Sequence, residues 1–245
     1  MQAVLLTGGK GTRLRPFAAV FPKPLVPLGD KPVLEILIHR LRSHGFDRLT
    51  LAVGHLAPLI EAYFQDGARL GVHITYVREH EPLGTAGPLA GIADLDDDFL
   101  VLNGDLLTDM DFGALMRDHV DGGADITLVR YRQDHQVSLG VIDVDANGFL
   151  TGYTEKPVLH YDVSTGAYAF RRDVVSGYLV PGARMDMPDL LQRLVREGRP
   201  VRTWLHSGFW LDIGRPEDYA TAQDLFEARP SLFLGTPEDP VPTAG

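Results

Sequence analysis

The sequence predicts an α/β fold, a mixed and mostly parallel sheet flanked by helices. Three observations carry that expectation. Through residues 1–122, short apolar runs alternate with stretches of helical period, the pattern of a parallel sheet with right-handed crossovers. Phe99-Leu100-Val101-Leu102 shows no polar alternation, as expected of a strand covered on both faces. The chain has 245 residues, of which 44% are hydrophobic, enough to bury such a core. It reads as a single domain over 1–228, with one half at about 1–122, a second half at about 123–228, and a loose Pro/Gly-rich tail at 229–245.

Ala3–Leu6 is expected as the first strand. A helix opens at Lys31-Pro32-Val33 and runs to Ser43. Proline stands near its start and Gly45 near its end, and Leu34, Leu37, Ile38 and Leu41 share its inner face. Leu49–Val53 is a second strand. Ala57–Gln65 is a second helix, with Leu59, Ile60, Tyr63 and Phe64 expected inward. Val72–Val77 is a third strand, Leu83–Ala93 a Gly-rich turn running into a helix, and Phe99–Leu102 a fourth strand. The second half reads as strands at Ile126–Tyr131, Gly140–Val144, Phe149–Thr154, Gly166–Phe170 and Val201–Leu205, with Trp210–Ile213 after them. Helices are expected at Pro188–Glu197 and Arg215–Ala228.

Composition narrows the function. A formal net charge of -10 argues against general binding to nucleic acid or to a membrane surface. Cysteine is absent, which excludes disulfides and thiolate metal sites. No apolar run approaches the ~20 residues that span a bilayer, and the chain opens directly into a strand with no leader pattern. The expected location is the cytoplasm. The nine histidines are scattered without metal-binding spacing and read as structural or surface groups.

Chemistry concentrates where strands end. Leu5-Leu6-Thr7-Gly8-Gly9-Lys10-Gly11-Thr12-Arg13-Leu14 runs from a strand into a glycine loop, and Pro22-Lys23-Pro24-Leu25 follows. Successive N–H groups in such a loop form an anion nest. Arg13 adds a planar fork and Lys23 a point charge, so the stretch outlines a polyphosphate site. It is not a P-loop, whose spacing fails, nor a dinucleotide fingerprint, whose third glycine is Leu14. Asp105, in Asn103-Gly104-Asp105, and Asp212, in Trp210-Leu211-Asp212-Ile213-Gly214, are carboxylates at the mouths of apolar strands. Mg²⁺ is commonly held by one or two carboxylates plus substrate phosphates; standing alone, each aspartate reads as readily as a turn or cap residue. Asp109 and Asp111 are expected to start the following helix. Gly84 would let a flat base lie against the backbone, and Thr85 would cap the helix after it. Glu155-Lys156 offers a carboxylate for a hydroxyl beside a cation for a phosphate, or a solvated pair. Ser164-Thr165-Gly166 is a turn or a row of pocket hydroxyls.

From Gly8 to Tyr219 the motifs G-G-x-G-T-R-L, P-K-P-L, E-P-L-G-T-A-G-P-L, N-G-D, E-K-P, S-T-G-x-Y and G-F-W-x-D-I-G-x-P-x-D-Y occur in order. This set resembles the sugar-1-phosphate nucleotidyltransferases. The resemblance implies a Rossmann-like, GT-A-like nucleotidyltransferase fold, with a nucleotide-binding first half and a sugar-binding second half. The implied reaction is NTP + sugar 1-phosphate → NDP-sugar + pyrophosphate. Arg13 and Lys23 are implied as catalytic. Leu6, Gly8, Gly9, Gly11, Thr12, Arg13, Gly84, Thr85, Asn103 and Asp105 are implied to bind the nucleotide, with Gly8 and Gly84 flanking its base. Gly140, Glu155, Lys156 and Thr165 would bind the sugar phosphate. Asp105 and Asp212 would hold Mg²⁺. The implied partners are the two small substrates; separately, the second-half strands, expected to be exposed, make a homodimer the candidate assembly.

Within the family the motifs are most similar to those of the mannose-1-phosphate guanylyltransferases, and heptose-1-phosphate guanylyltransferases are similar too. Gly87 and Pro22-Lys23-Pro24 stand where thymidylyltransferases usually carry Gln and P-K-Q, which favours a purine. Two departures stand out. The C-terminal left-handed β-helix of many guanylyltransferases is not expected, and Ser164-Thr165-Gly166 replaces a frequent Asn-Ala-Gly. The alternatives are the same chemistry on a heptose, glucose or cyclitol phosphate with another NTP, or a catalytically silent sugar-nucleotide sensor.

Overall fold

Ala3, Val4 and Leu5 have no exposed surface, so the first strand lies inside a sheet and not at its edge. The computed structural model describes residues 1–9 and 21–234. Its strands are β1 (Gln2–Leu6), β2 (Pro27–Leu28), β3 (Lys31–Pro32), β4 (Arg48–Val53), β5 (His73–Arg78), β6 (Asp98–Asn103), β7 (Leu106–Thr108), β8 (Ile126–Gln136), β9 (Val141–Val144), β10 (Leu150–Thr154), β11 (Val158–Arg171), β12 (Val201–His206) and β13 (Trp210–Asp212). Its helices are α1 (Val33–Ser43), α2 (Ala57–Phe64), α3 (Phe112–Gly122), α4 (Arg172–Tyr178), α5 (Met187–Arg196), α6 (Pro216–Ala228) and α7 (Pro230–Leu234).

Seven strands form the main sheet in the order β12-β8-β11-β6-β1-β4-β5. β1 pairs in parallel with β4 and β6, β4 with β5, and β12 with β8. β11 alone reverses, antiparallel to both β6 and β8. The sheet is therefore mixed and mostly parallel, as the sequence predicts. The parallel strands deliver their C-terminal ends to one edge, where ligands of open α/β sheets bind.

Two apolar layers sandwich the sheet. Leu34, Leu37, Ile38 and Leu41 of α1, Ile60 and Phe64 of α2, and Phe112 and Leu115 of α3 cover one face. Val174 of α4, Leu190 and Leu194 of α5 and a 3-10 turn at Gly87–Gly91 cover the other. Each side chain buried this fully contributes ~1.5–3 kcal/mol. A third cluster lies behind α1, where Val33 and Ile36 meet Phe226 of α6 and Phe233 of α7.

Several boundaries differ from the expectation. Of the four α2 residues expected inward, Ile60 and Phe64 are buried, with Ala57 beside them; Leu59 and Tyr63 are exposed, because the helix spans about two turns and touches the sheet along one narrow stripe. Leu83–Ala93 yields a single 3-10 turn and no α-helix. The expected tail begins with a packed helix, since Phe233 is buried and Leu232 O accepts from Arg40 Nη1 at 3.1 Å. β8 and β11 run far beyond the predicted strands and, with the β9–β10 hairpin, form a long arm.

Candidate active site

The open edge of the parallel strands holds a cleft of about 390 Å³. Leu6, Gly8, Gly9, Lys23, Gly84, Thr85, Asn103 and Asp105 line it, all singled out from the sequence, together with Thr7, Glu79 and Gly214. Gly11, Thr12 and Arg13 lie outside the described residues.

Local structure explains the convergence. Leu6 and Asn103 end adjacent parallel strands and sit opposite each other in register. Past them, Gly104 N donates to Leu6 O at 3.0 Å, turning the chain so that Asp105 faces the cleft. β13 pairs antiparallel with β7, placing Asp212 opposite Leu106, and Ile213 N donates to Asp105 O at 3.2 Å. Two aspartates 107 positions apart in sequence thus become neighbours. Lys23 opens a 3-10 turn whose flanking prolines preset the backbone, and Leu25 N closes it on Pro22 O at 2.9 Å.

The Lys23 ammonium sits between the two carboxylates. It pairs closely with Asp105 Oδ2 and lies 3.4 Å from Asp212 Oδ1. Burial pushes the Asp105 carboxyl above its ordinary range; Lys23 pulls it back, and the Asp212 charge adds to the rise. Asp105 Oδ1 is buried and accepts no hydrogen bond among the described residues. A buried carboxylate oxygen without a donor is costly. Asp105 Oδ1 beside Asp212 is therefore a donor set that fits a hard divalent cation completed by phosphate oxygens. No cluster of three or more His, Asp or Glu ligands occurs among the described residues.

Other predicted residues are placed differently. Thr85 caps no helix of its own segment. Its hydroxyl accepts from Met187 N at 2.7 Å, at the start of α5, while its N–H donates to Asp186 Oδ1 at 3.3 Å. Gly84 has φ +78°, and a Cβ there would stand 2.5 Å from Met185 O. Gly87 is buried against α4–α5 backbone, 2.8 Å from Ala183 O to a built Cβ, and is no part of the cleft lining. Asp111, not Asp109, caps α3, accepting from Ala114 N at 2.7 Å. Asp109 instead accepts from Phe209 N at 2.8 Å and pairs with the buried His206, tying down the approach to β13.

The residues predicted for the sugar are not gathered at the cleft. Thr165 is buried and its hydroxyl donates to Val129 O at 3.0 Å, so it is spent inside the sheet. Gly140, Glu155 and Lys156 lie on the arm. Glu155 accepts from Tyr153 OH at 2.8 Å and has Lys156 at 3.9 Å, with about 60% of both side chains exposed. A Cβ on Gly140 would run into the Tyr153 hydroxyl. Sequence reasoning missed Glu79, whose half-buried carboxylate lines the cleft; Glu79-His80-Glu81 carries no spacing that distinguishes it from a solvated pair.

A family model described as nucleotidyl transferase matches residues 2–229. The chain is 38% identical over 239 residues to a UTP–glucose-1-phosphate uridylyltransferase of Synechocystis, covering 89% of this chain and 61% of the relative. It is 33% identical to the mannose-1-phosphate guanylyltransferase catalytic subunit beta of Xenopus tropicalis, covering 92% and 64%. It thus spans about three fifths of the length of these relatives. Among solved structures, HddC from Yersinia pseudotuberculosis complexed with GMP-PN superposes with a TM-score of 0.72 at 25% identity, over 92% of this chain and 99% of HddC.

Proposed function

Because the chain belongs to the nucleotidyl transferase family, we propose that it transfers a nucleotidyl group from an NTP to a sugar 1-phosphate. The products are an NDP-sugar and pyrophosphate. The observation that carries this reading is Lys23 held between Asp105 and Asp212 at the mouth of β1 and β6.

A sugar phosphate oxygen attacks the α-phosphorus of the NTP. The bond from that phosphorus to the bridging oxygen breaks, and pyrophosphate leaves with the electron pair. Positioning and charge neutralisation carry such transfers, with little covalent work for the protein. Lys23 neutralises charge on the α-phosphate and the sugar phosphate. The backbone of Gly8 and Gly9 receives the nucleotide, with Gly11, Thr12 and Arg13 assigned to the β- and γ-phosphates. Asp105 and Asp212 would hold Mg²⁺, which supplies charge neutralisation and a template for the phosphates. On the arm, Gly140, Glu155 and Lys156 are assigned to the sugar phosphate.

GTP and a manno-configured sugar 1-phosphate are the proposed pair, supported by the guanylyltransferase relatives and by the guanine nucleotide bound to HddC. The Synechocystis relative favours a second reading, UTP with glucose 1-phosphate. The protein is proposed to work in the cytoplasm on these small substrates, and the exposed apolar arm strands support a homodimer. A matrix of GTP, UTP, ATP and dTTP against mannose, glucose and heptose 1-phosphates, read as pyrophosphate release with Mg²⁺, tests the reaction and its substrates. Release with GTP and mannose 1-phosphate above every other pair is expected. No release in any well would leave the silent-sensor alternative.

A further inference from the structure

Asp212 reaches the cleft on a weak element. β13 shares three paired positions with β7, apart from the seven-stranded sheet, and a two-stranded ladder is marginal by itself. Side chains of a strand alternate between faces, so a slip of one residue along β7 would turn Asp212 away from Asp105. The cleft end of the ladder is fastened by Ile213 N, which donates to Asp105 O at 3.2 Å. The far end is fastened on Phe209. Asp109 N donates to Phe209 O at 3.2 Å, and Phe209 N donates to Asp109 Oδ1 at 2.8 Å. Phe209 O also accepts from Thr108 Oγ1 at 2.8 Å and from His206 Nε2 at 3.0 Å. The same Nε2 lies 3.1 Å from Asp109 Oδ1, and both side chains are nearly buried. A carbonyl and a carboxylate only accept, so Nε2 carries the proton and bridges them. Gly208 makes this approach possible, since a Cβ there would stand 2.3 Å from Asp109 Oδ1. Behind the latch, Arg40 Nη2 donates to Asp109 O and Arg40 Nε to Met110 O at 3.1 Å, anchoring the strand on α1.

We infer that Asp109 and His206 are positioning residues for the cation site: their latch on Phe209 sets the register that holds Asp212 beside Asp105. The inference rests on the reading of those two aspartates as the Mg²⁺ ligands. Neither Asp109, His206 nor Phe209 lines the cleft, so the latch acts through the strand, three positions before Asp212. The backbone at Asp105 is held independently, by β6 and by Gly104 N on Leu6 O at 3.0 Å. The backbone at Asp212 depends on β13. A loosened latch therefore changes the spacing of the two carboxylates while the main sheet stays as it is. Mg²⁺ demands near-ideal ligand geometry, and loss of a group that orients a ligand weakens metal binding by about ten- to hundredfold. Asp109 has a second role, because its charge offsets the burial of the Arg40 guanidinium. His206 is thus the cleaner place to test the latch.

His206→Gln and His206→Leu separate a latch from a space-filling side chain. The glutamine amide can offer an N–H where Nε2–H stood, whereas leucine fills the volume and offers none. Mn²⁺ is titrated with GTP, and in parallel with UTP, sugar phosphate being omitted. Water-proton relaxation distinguishes protein-bound Mn²⁺ from Mn²⁺–nucleotide in solution. His206→Leu should bind Mn²⁺ about ten- to hundredfold more weakly than the natural protein, and His206→Gln should bind it nearly as well. Thr108→Val, which removes the other side-chain donor to Phe209 O, should also weaken Mn²⁺ and takes the place of a His206→Leu protein that does not fold. Ile60→Val, a core truncation away from the latch, should lower the melting temperature and leave Mn²⁺ affinity unchanged. Undiminished Mn²⁺ affinity in His206→Leu overturns the inference and leaves the metal reading standing. A His206→Gln protein no better than His206→Leu overturns it as well, as does an equal loss in Ile60→Val, which would make the effect one of general stability. A natural protein that binds no Mn²⁺, or an Asp212→Ala protein that binds it undiminished, overturns the metal reading and the role of the latch with it.

Discussion

The cleft and the arm, the two regions proposed to meet the substrates, are built differently. At the cleft several side chains are held by other parts of the fold: Asp105 and Asp212 by Lys23 and the β7–β13 pairing, Thr85 by the start of α5, Glu79 by Leu83. On the arm, Tyr153 lies against Gly140 and donates to Glu155, and Lys156 pairs with Glu155; among the described residues no side-chain hydrogen bond or ion pair ties Glu155 or Lys156 to the body of the protein. Leu139, Ile142, Val144, Phe149 and Leu150 beside them are more than half exposed. A preorganised site costs no reorganisation when the reaction begins, whereas an exposed arm must be ordered by its ligand or by a second subunit. The contrast supports the proposed division, with chemistry at the cleft and recognition on the arm.

The largest expected effect is at the cleft. Asp212→Ala removes one of two converging carboxylates and should lower pyrophosphate release by about 10³-fold, or ~4 kcal/mol of barrier, with circular dichroism unchanged. A folded Asp212→Ala protein turning over near the natural rate would break the division of labour, since the cleft would then work without its assigned cation site. Next comes Gly84→Ala. Its φ of +78° and the 2.5 Å approach to Met185 O leave a methyl group no room. A loss of ~2 kcal/mol or more in urea unfolding is expected, from left-handed strain plus the displaced Leu83–Met185 pairing.

On the arm the expected effect is on binding. Glu155→Ala should raise the KM for the sugar phosphate by about tenfold with kcat nearly constant, the mark of an interaction shared by ground and transition states. An equal fall in kcat would move Glu155 into the transition state and erase the contrast from the other side.

This asymmetry also decides what was legible in the sequence. The strand–loop–helix order, the Lys23 turn and the aspartates at strand mouths follow from local rules of period, proline and glycine, and each stands where those rules put it. The surroundings of Thr165 and Gly87 are not legible for one reason. A hydroxyl or a glycine in a motif looks the same whether it faces a pocket or a neighbouring strand. Here Val129 O and Ala183 O, both distant in sequence, own those positions. Glu79 went unseen because its environment is made by Gly8 across the sheet. Phe233 went unseen because the pocket formed by Val33, Ile36 and Phe226 exists only after α6 has folded back on α1. The arm's length was missed because β8 and β11 pair with each other beyond the core, where neither needs an apolar alternation.

A smaller effect belongs to Thr85→Val. The variant keeps volume and loses the hydroxyl that accepts from Met187 N. α5 has no cap from its own Asp186 side chain, so its first turn depends on that distant hydroxyl. The cost should be ~1 kcal/mol by urea unfolding, with GTP binding weakened only as far as Gly84 shifts.

Tyr153→Phe should do least, and so it tests the contrast most finely. It removes the hydroxyl that donates to Glu155 at 2.8 Å, on a ring that is 62% exposed. Hydrogen bonds between groups this open exchange one partner for water, and substitutions there fall within ~0.5 kcal/mol. If urea unfolding instead shows a loss above ~1 kcal/mol, the Tyr153 hydroxyl is buried in the working protein. Something must then cover the arm. Repeating the measurement at rising protein concentration would identify it: a cost that grows with concentration belongs to a subunit interface, because only an associating system couples stability to its own concentration. A cost that appears only with added sugar phosphate would instead place Tyr153 beside Glu155 in the recognition surface. Either result would convert the arm from a loosely held extension into a part of the site completed by its partner.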